Sequence, residues 1–293
     1  RVYLHVLADN DAALRLYDRL GFASEGVLRE HVCKDGRFRD VVVMGIVKPP
    51  RARVVAAIQA RMGSTRLPGK VLRPIGGRPV VERIVERLTR CGEIDGIVVA
   101  TSVESRDDAV AALAARLGLA CVRGSEADLI ERIARTAAET EADALVRITA
   151  DCPLIDPGLV DLAVRRWREG AGTLDYVSNV LPPTYPDGLD VEVISRAALD
   201  RLDREARDAA FRDAPTSYIW AHPSSFRTAN VAHEENLRRL RWTLDYPEDL
   251  AFVEAVYEEL DRTGDVFTMP DVLRLLARRP DLRDLNRHLE IPA

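Results

Sequence analysis

The chain has 293 residues, room for one large domain and a smaller piece, and 47% of them are apolar, the composition of an ordinary globular protein. Acidic residues outnumber basic ones, for a formal net charge of −5; this argues against bulk nucleic-acid binding and confines any anion site to a local basic patch. No apolar run approaches a membrane span and no signal peptide precedes the first strand, so the expected location is cytoplasmic, with no membrane partner.

The chain begins at Arg1 rather than Met, and its opening residues read as mid-domain, so an N-terminal portion is expected to precede it. Val2 to Val6 reads as a strand, and Asn10-Asp11 caps a helix through Leu14, Leu16, Tyr17 and Leu20 that Gly21 stops. Two strands, Val27 to Cys33 and Val41 to Val47, flank Lys34-Asp35-Gly36-Arg37, whose Asp-Gly is a hairpin signal. Lys48-Pro49-Pro50-Arg51 is a proline-bearing linker, and the expected domains are 1–48, a linker at 49–53, and 54–293.

Arg51 to Ile58 is an apolar run suited to a strand buried on both faces. Polarity then changes abruptly. Gly63 and Gly69 let the backbone approach a ligand, Ser64 and Thr65 add hydroxyls, and Arg61, Arg66 and Lys70 add three cations, a combination suited to a triphosphate. Five residues separate Gly63 from Gly69 and Val71 follows Lys70, so this is not a Walker A loop. The plain alternative is a solvated turn.

Strand and helix then alternate: a helix opened by Pro79 and running to Arg90, a strand at Ile97 to Thr101, a helix at Asp107 to Leu117, a strand at Ala120 to Val122, a helix at Ala127 to Thr140 and a strand at Ala144 to Thr149. The fold class implied is α/β, a mostly parallel twisted sheet flanked by helices. Phe252 to Leu276 reads as helical with breaks at Gly264 and Pro270. Cys33, Cys91, Cys121 and Cys152 are scattered without metal spacing, as buried thiols of a reducing compartment would be.

Asp151 stands at the end of a buried strand, where a carboxylate is costly unless it is paired or holds a cation; it is the first candidate metal ligand, for Mg²⁺. Asp156 is better placed than Asp151 to cap the helix after Pro157. Asp245 with Glu248 reads as a capping box. Asn179, Tyr185, Asp187 and Asp190 lie in polar stretches that suit sugar hydroxyls, against the alternative of an ordered Pro-Gly surface loop.

Ala60-Arg61-Met62-Gly63-Ser64-Thr65-Arg66-Leu67-Pro68-Gly69-Lys70, followed by Gly76-Gly77-Arg78-Pro79, resembles the signature of sugar cytidylyltransferases, nearest to the spore coat polysaccharide biosynthesis protein F type, kin to the synthetases of CMP-activated octulosonate and sialic acids. The resemblance implies a nucleotide-diphospho-sugar transferase-like fold, with CTP and an acidic sugar as substrates and Mg²⁺ as cofactor. It implies that Gln59, Ala60, Arg61, Gly63, Ser64, Arg66, Lys70, Ser102, Gly124, Ser125, Arg132 and Thr149 bind the nucleotide, Ser102 near the pyrimidine. Arg61, Lys70, Asp151 and Asp245 would be catalytic, Asp245 closing the metal site opposite Asp151; Arg132 otherwise pairs with Asp128 as an i, i+4 surface bridge. The acceptor loop would hold Asn179, Tyr185, Asp187 and Asp190, with Arg212 also facing the acceptor. Where that family has Arg-Glu-His-Val-Thr-Pro-Tyr-Ile, this chain has Arg212-Asp213-Ala214-Pro215-Thr216-Ser217-Tyr218-Ile219, so the histidine is replaced by Ala214 and the acceptor is left open. The pieces from Ile194 to Phe226 imply a homodimer surface, with Tyr218 and Trp220 suited to it.

Ahead of the linker, Asn10, Ala13, Leu16-Tyr17, Leu20-Gly21-Phe22 and Glu25-Gly26 are similar to the C-terminal third of a GNAT acetyltransferase. The glycine-rich pyrophosphate loop of that fold is missing from the first fifty residues, so no acetyltransferase activity is expected; Tyr17, an acid near the CoA thiol in that family, is read here as partly in the core. The expected reaction is CMP transfer from CTP with release of pyrophosphate. A glycosyltransferase, which usually carries Asp-x-Asp where this chain has Asp151-Cys152-Pro153, is the enzymatic alternative, and a catalytically silent nucleotide-binding partner the other.

Overall fold

The computed structural model describes residues 1–46, 51–170, 172–261 and 265–290; the linker residues Lys48, Pro49 and Pro50, the strand end at Val47 and the helix break at Gly264 lie outside the described residues. The chain divides into two compact units, Arg1–Arg51 and Ala52–Ala293.

The first unit holds β1 (Val2–Leu7), α1 (Asp11–Arg19), β2 (Ala23–Lys34) and β3 (Arg37–Ile46), the strands forming an antiparallel sheet in the order β1-β3-β2. Asn10 caps α1, its side-chain oxygen accepting from Ala13 N at 3.2 Å. The hairpin turns on Asp35 and Gly36 at φ of 54° and 73°, the two positive values a type I′ turn needs. Among the described residues of this unit, only Val6, Val41 and Met44 are buried apolar side chains. Tyr17 is half-buried and meets Phe22 edge-on with ring centroids 5.7 Å apart, while α1 buries no residue.

The second unit begins with β4 (Val54–Gln59), the hairpin of β5 (Pro74–Ile75) and β6 (Arg78–Pro79), and α2 (Val80–Leu88). It continues through β7 (Gly96–Ser102), α3 (Asp108–Arg116), β8 (Ala120–Gly124), α4 (Leu129–Glu139), β9 (Ala144–Thr149) and α5 (Pro157–Glu169). Then come β10 (Tyr176–Ser178), β11 (Glu192–Ser195), α6 (Arg196–Glu205), α7 (Ala209–Asp213), α8 (Pro215–Ala221) and β12 (Thr228–Asn230). The chain ends in α9 (Pro247–Leu260), α10 (Met269–Arg278) and α11 (Pro280–Asp284). The helical stretch expected from Phe252 to Leu276, with breaks at Gly264 and Pro270, is two helices; Pro270 stands in the first turn of α10 and Pro247 in that of α9, where the missing N–H costs nothing.

The seven-stranded sheet runs β12-β10-β11-β9-β4-β7-β8. β9, β4, β7 and β8 are parallel, and β11 joins β9 antiparallel. β4 is buried on both faces: Val54, Ala56 and Ile58 enter one core with α2, α5 and α9, and Val55 and Ala57 enter the other with α4 and α6. The chain leaves β4 for β7 and β8 on one side and returns to β9 on the other. That reversal opens a crevice at the carboxyl ends of β4 and β9, the place where open α/β sheets bind ligands.

Candidate active site

A cavity of about 340 Å³ occupies that crevice, large enough for a small ligand. Its floor is Gln59, Ala60 and Arg61 from the end of β4 and Arg147, Thr149, Ala150 and Asp151 from the end of β9. Gly63, Ser64, Thr65, Arg66 and Lys70 wall one side, and Leu129, Arg132, Asp213 and Asp245 complete it. The loop after β4 is pinned at its start, where the carboxylate of the buried Asp107 accepts from Met62 N at 2.7 Å and from the Ser102 hydroxyl. At its end Gly69, at φ +68°, makes the left-handed step into the short turn carrying Lys70.

Lys70 Nζ donates to Asp151 Oδ2 at 3.0 Å and to Asp245 Oδ1 at 2.8 Å. Burial pulls the Lys70 pKa down, but Asp151 and Asp245 outweigh it and hold the ammonium above its ordinary range. Burial likewise pushes Asp151 up, and Lys70 and the Thr149 hydroxyl more than reverse it, leaving the carboxyl below the usual range. Asp245 brings its outer oxygen within 3.2 Å of Arg66 Nη2. The two segments are welded by backbone: Leu244 N donates to Asp151 O at 2.8 Å. Gly188, at φ +105°, lies so close to Trp242 and Thr243 that a Cβ there would stand 2.4 Å from Thr243 N.

The capping arrangement differs from the one read in the sequence. Asp249 caps α9, its Oδ2 accepting from Asp245 N at 2.9 Å and Tyr246 N at 3.0 Å. Asp245 is therefore one residue outside the helix, with its carboxylate free to face Lys70.

Arg132, 4% exposed, faces the cavity without an ion pair among the described residues; its guanidinium donates to Ser125 O at 2.7 Å, and Asp128, its partner in the alternative reading, instead caps α4 and pairs with Arg212. Burial and then the charge of Arg61 lower its pKa, and the carboxylates of Asp107, Glu131 and Glu126 only partly offset them. Arg61 also has no ion pair among the described residues. Arg147, which no reading of the motif singled out, donates from Nε to Gln59 Oε1 at 2.8 Å and pairs with Glu192, itself held by Tyr176 OH at 2.5 Å. An arginine only donates, so the Gln59 oxygen must face Arg147; its Nε2 is buried without a partner.

Eleven residues expected at the site line the cavity: Gln59, Ala60, Arg61, Gly63, Ser64, Arg66, Lys70, Arg132, Thr149, Asp151 and Asp245. Others stand elsewhere. The Ser102 hydroxyl is buried and committed to Asp107. Gly124 and Ser125 sit where β8 meets α4, and a Cβ on Gly124 would come within 3.1 Å of Arg132 Cα. Asn179 is buried, its amide spanning Leu189 O and Val191 N at 2.8 Å each, so it shapes the loop instead of facing a ligand. Tyr185 lines a separate shallow cleft beside His233, with ring centroids 5.3 Å apart. Asp187 pairs with Arg241 at 3.2 Å, and Asp190 lies near it outside the cavity lining. Arg212 is bound to Asp128 at 2.5 Å and Asp203 at 2.8 Å; its neighbour Asp213 reaches the cavity in its place.

Two carboxylates converging on one ammonium mark a cation position, and their hard oxygens suit Mg²⁺. No group of three or more His, Cys, Asp or Glu residues suited to a metal occurs among the described residues, so further ligands there would be water and substrate oxygens. No helix among the described residues is long and apolar enough to cross a membrane.

Residues 55–265 match the family model described as cytidylyltransferase. The spore coat polysaccharide biosynthesis protein SpsF of Bacillus subtilis is 31% identical over 235 residues, covering 78% of this chain and 95% of that one. The solved structure of a cytidylyltransferase from Leptospira borgpetersenii superposes with a TM-score of 0.76 at 30% identity, covering 79% of this chain and 97% of that one. A CMP:2-keto-3-deoxy-manno-octonic acid synthetase, solved in complex with CTP, shares the fold at a TM-score of 0.54 and 20% identity, covering 71% of this chain and 99% of that one. By sequence over most of its length and by the fold that carries its cavity, the chain belongs to the cytidylyltransferase family.

Proposed function

We propose that this cavity transfers a CMP group from CTP to a hydroxyl of an acidic sugar, with release of pyrophosphate. One observation carries the reading: a single crevice at the sheet's switch point joins Arg61 and Arg132, which have no ion pair among the described residues, to the acid pair Asp151–Asp245 across Lys70. The name of the octonic acid synthetase and its bound CTP support the substrate classes.

Phosphoryl-type transfer needs placement and charge neutralisation more than covalent help from the protein. Arg61 and Arg132 bind phosphate oxygens, Arg66 and Lys70 add charge where pyrophosphate departs, and the walls hold the α-phosphorus in line with the attacking hydroxyl. The acceptor oxygen forms a bond to the α-phosphorus as the bond to the bridging oxygen of pyrophosphate breaks. Asp151 and Asp245 would hold Mg²⁺, which when bound supplies positive charge at the α-phosphate and polarises the attacking hydroxyl. No histidine lines the cavity among the described residues, which accords with a hydroxyl activated without a His base.

The test is pyrophosphate release from each of the four nucleoside triphosphates with Mg²⁺ and a panel of acidic sugars. Release with CTP alone, dependent on the acceptor and lost in Asp151→Ala, is the expected result. CTP binding without turnover on any acceptor would point to a silent partner and contradict the reading.

A further inference from the structure

All four oxygens of the acid pair are engaged. Asp151 Oδ1 accepts from the Thr149 hydroxyl; Asp151 Oδ2 and Asp245 Oδ1 both accept from Lys70 Nζ, at 3.0 and 2.8 Å; Asp245 Oδ2 faces Arg66 at 3.2 Å and Arg241 at 3.6 Å. A divalent cation of Mg²⁺ size must approach its oxygens to about 2.0–2.1 Å. The point from which it would reach both inner oxygens is the point the ammonium holds, and two cations sharing those oxygens repel. Lys70 is 12% exposed in its side chain, so it is packed into this position and not trailing in solvent.

We propose that Lys70 is the resident cation of the acid pair, and that the divalent cation gains the pair only together with the nucleotide. The inference rests on the nucleotidyl-transfer reading above. A triphosphate in the cavity offers Lys70 and Arg66 new oxygens; as they move onto it, Asp151 Oδ2 and Asp245 Oδ1 are released to the metal, while Asp245 Oδ2 keeps Arg241 at 3.6 Å. Without nucleotide the lysine keeps two neighbouring carboxylates from facing each other uncompensated. The consequence is strong mutual dependence: nucleotide raises metal affinity and metal raises nucleotide affinity by the same factor.

The experiment is a Mn²⁺ titration of the full chain, read from the paramagnetic resonance of free Mn²⁺, with and without a CTP analogue whose α,β bridge is methylene. It compares the wild-type protein with Lys70→Met, Lys70→Gln and Lys70→Met/Asp151→Asn. Wild type without nucleotide is expected to bind Mn²⁺ at least tenfold more weakly than either lysine variant, and to gain at least tenfold when the analogue is added, beyond the Mn²⁺ that the analogue takes up in a protein-free control. The lysine variants gain less from the analogue, and Asp151→Asn removes their added affinity. Equal Mn²⁺ affinity of wild type and lysine variants without nucleotide, still abolished by Asp151→Asn, overturns the exchange while leaving the metal site standing. Mn²⁺ affinity in Lys70→Met that is indifferent to Asp151→Asn overturns both the exchange and the assignment of metal to the acid pair. The wild-type arm needs no variant, so a folding defect cannot obscure it.

Discussion

Asp151 and Asp190 are two carboxyl groups of the same acidic neighbourhood with opposite fates. Burial acts on both in the same direction. At Asp151 the Lys70 ammonium and the Thr149 hydroxyl reverse it and keep the group ionised. At Asp190 the neighbouring Asp187, Glu192 and Asp151 add to it, Arg147 opposes it only weakly, and the pKa is pushed up to about 7. Arg147 is spent on Glu192, and Arg241 on Asp249 and Asp187. Burial does not decide ionisation here; ownership of the cations does. The half of the region that owns lysine and arginine is the half proposed to take phosphates and metal.

The largest break in this contrast is Asp151→Ala. It strands Lys70 on one acid and removes a proposed metal ligand, so kcat is expected to fall at least about 10³-fold, roughly 4 kcal/mol, with pyrophosphate release as the readout. Arg132→Met removes a cation with no ion pair among the described residues, so it should raise KM for CTP by about 30- to 100-fold with little loss of folding stability. Steady-state kinetics in CTP measures the first and chemical denaturation the second.

Asp190→Asn tests the other side through pH. The folded carboxyl has its pKa raised from 3.8 to about 7, so the native state binds more protons than the unfolded one in that interval. Its stabilising contribution is complete below pH 3.8 and is lost as pH rises through about 7. Between pH 5 and 8 the wild type should therefore lose about 3 kcal/mol of unfolding free energy that Asp190→Asn does not lose. Equal pH slopes in urea denaturation would refute the raised pKa. The smallest effect is expected from Arg212→Ala, which breaks bonds to Asp128 and Asp203 away from the cavity: about 1 kcal/mol of stability, with kcat/KM within about threefold.

What could be read in advance follows from where the information lies along the chain. The Gln59-to-Lys70 run is contiguous, and its switch from buried strand to glycine, hydroxyl and cation marked a loop that does line the cavity, without knowledge of any contact. Asp151 was legible because a carboxylate ending a buried strand needs a partner. That the partner is Lys70 required two distant segments to meet. Arg147 and Glu192 were illegible as a pair, because their juxtaposition depends on β11 joining β9 antiparallel, with Glu192 opposite Arg147. Asp107 read as a helix start, yet it is the buried anchor of the cation loop. The polar stretches around Asn179 and Arg212 misled for one reason: a buried polar group first satisfies the backbone or charge beside it, and only what is left over faces a ligand.

The most direct test of the central claim is to follow the phosphorus. Incubated with CTP, Mg²⁺ and an accepted sugar, the protein should convert the CTP resonances into one phosphodiester and one pyrophosphate in equal amounts, with the product mass equal to sugar plus CMP less water. Turnover that needs a nucleotide sugar and transfers the sugar from it, with CTP left intact, would contradict cytidylyl transfer.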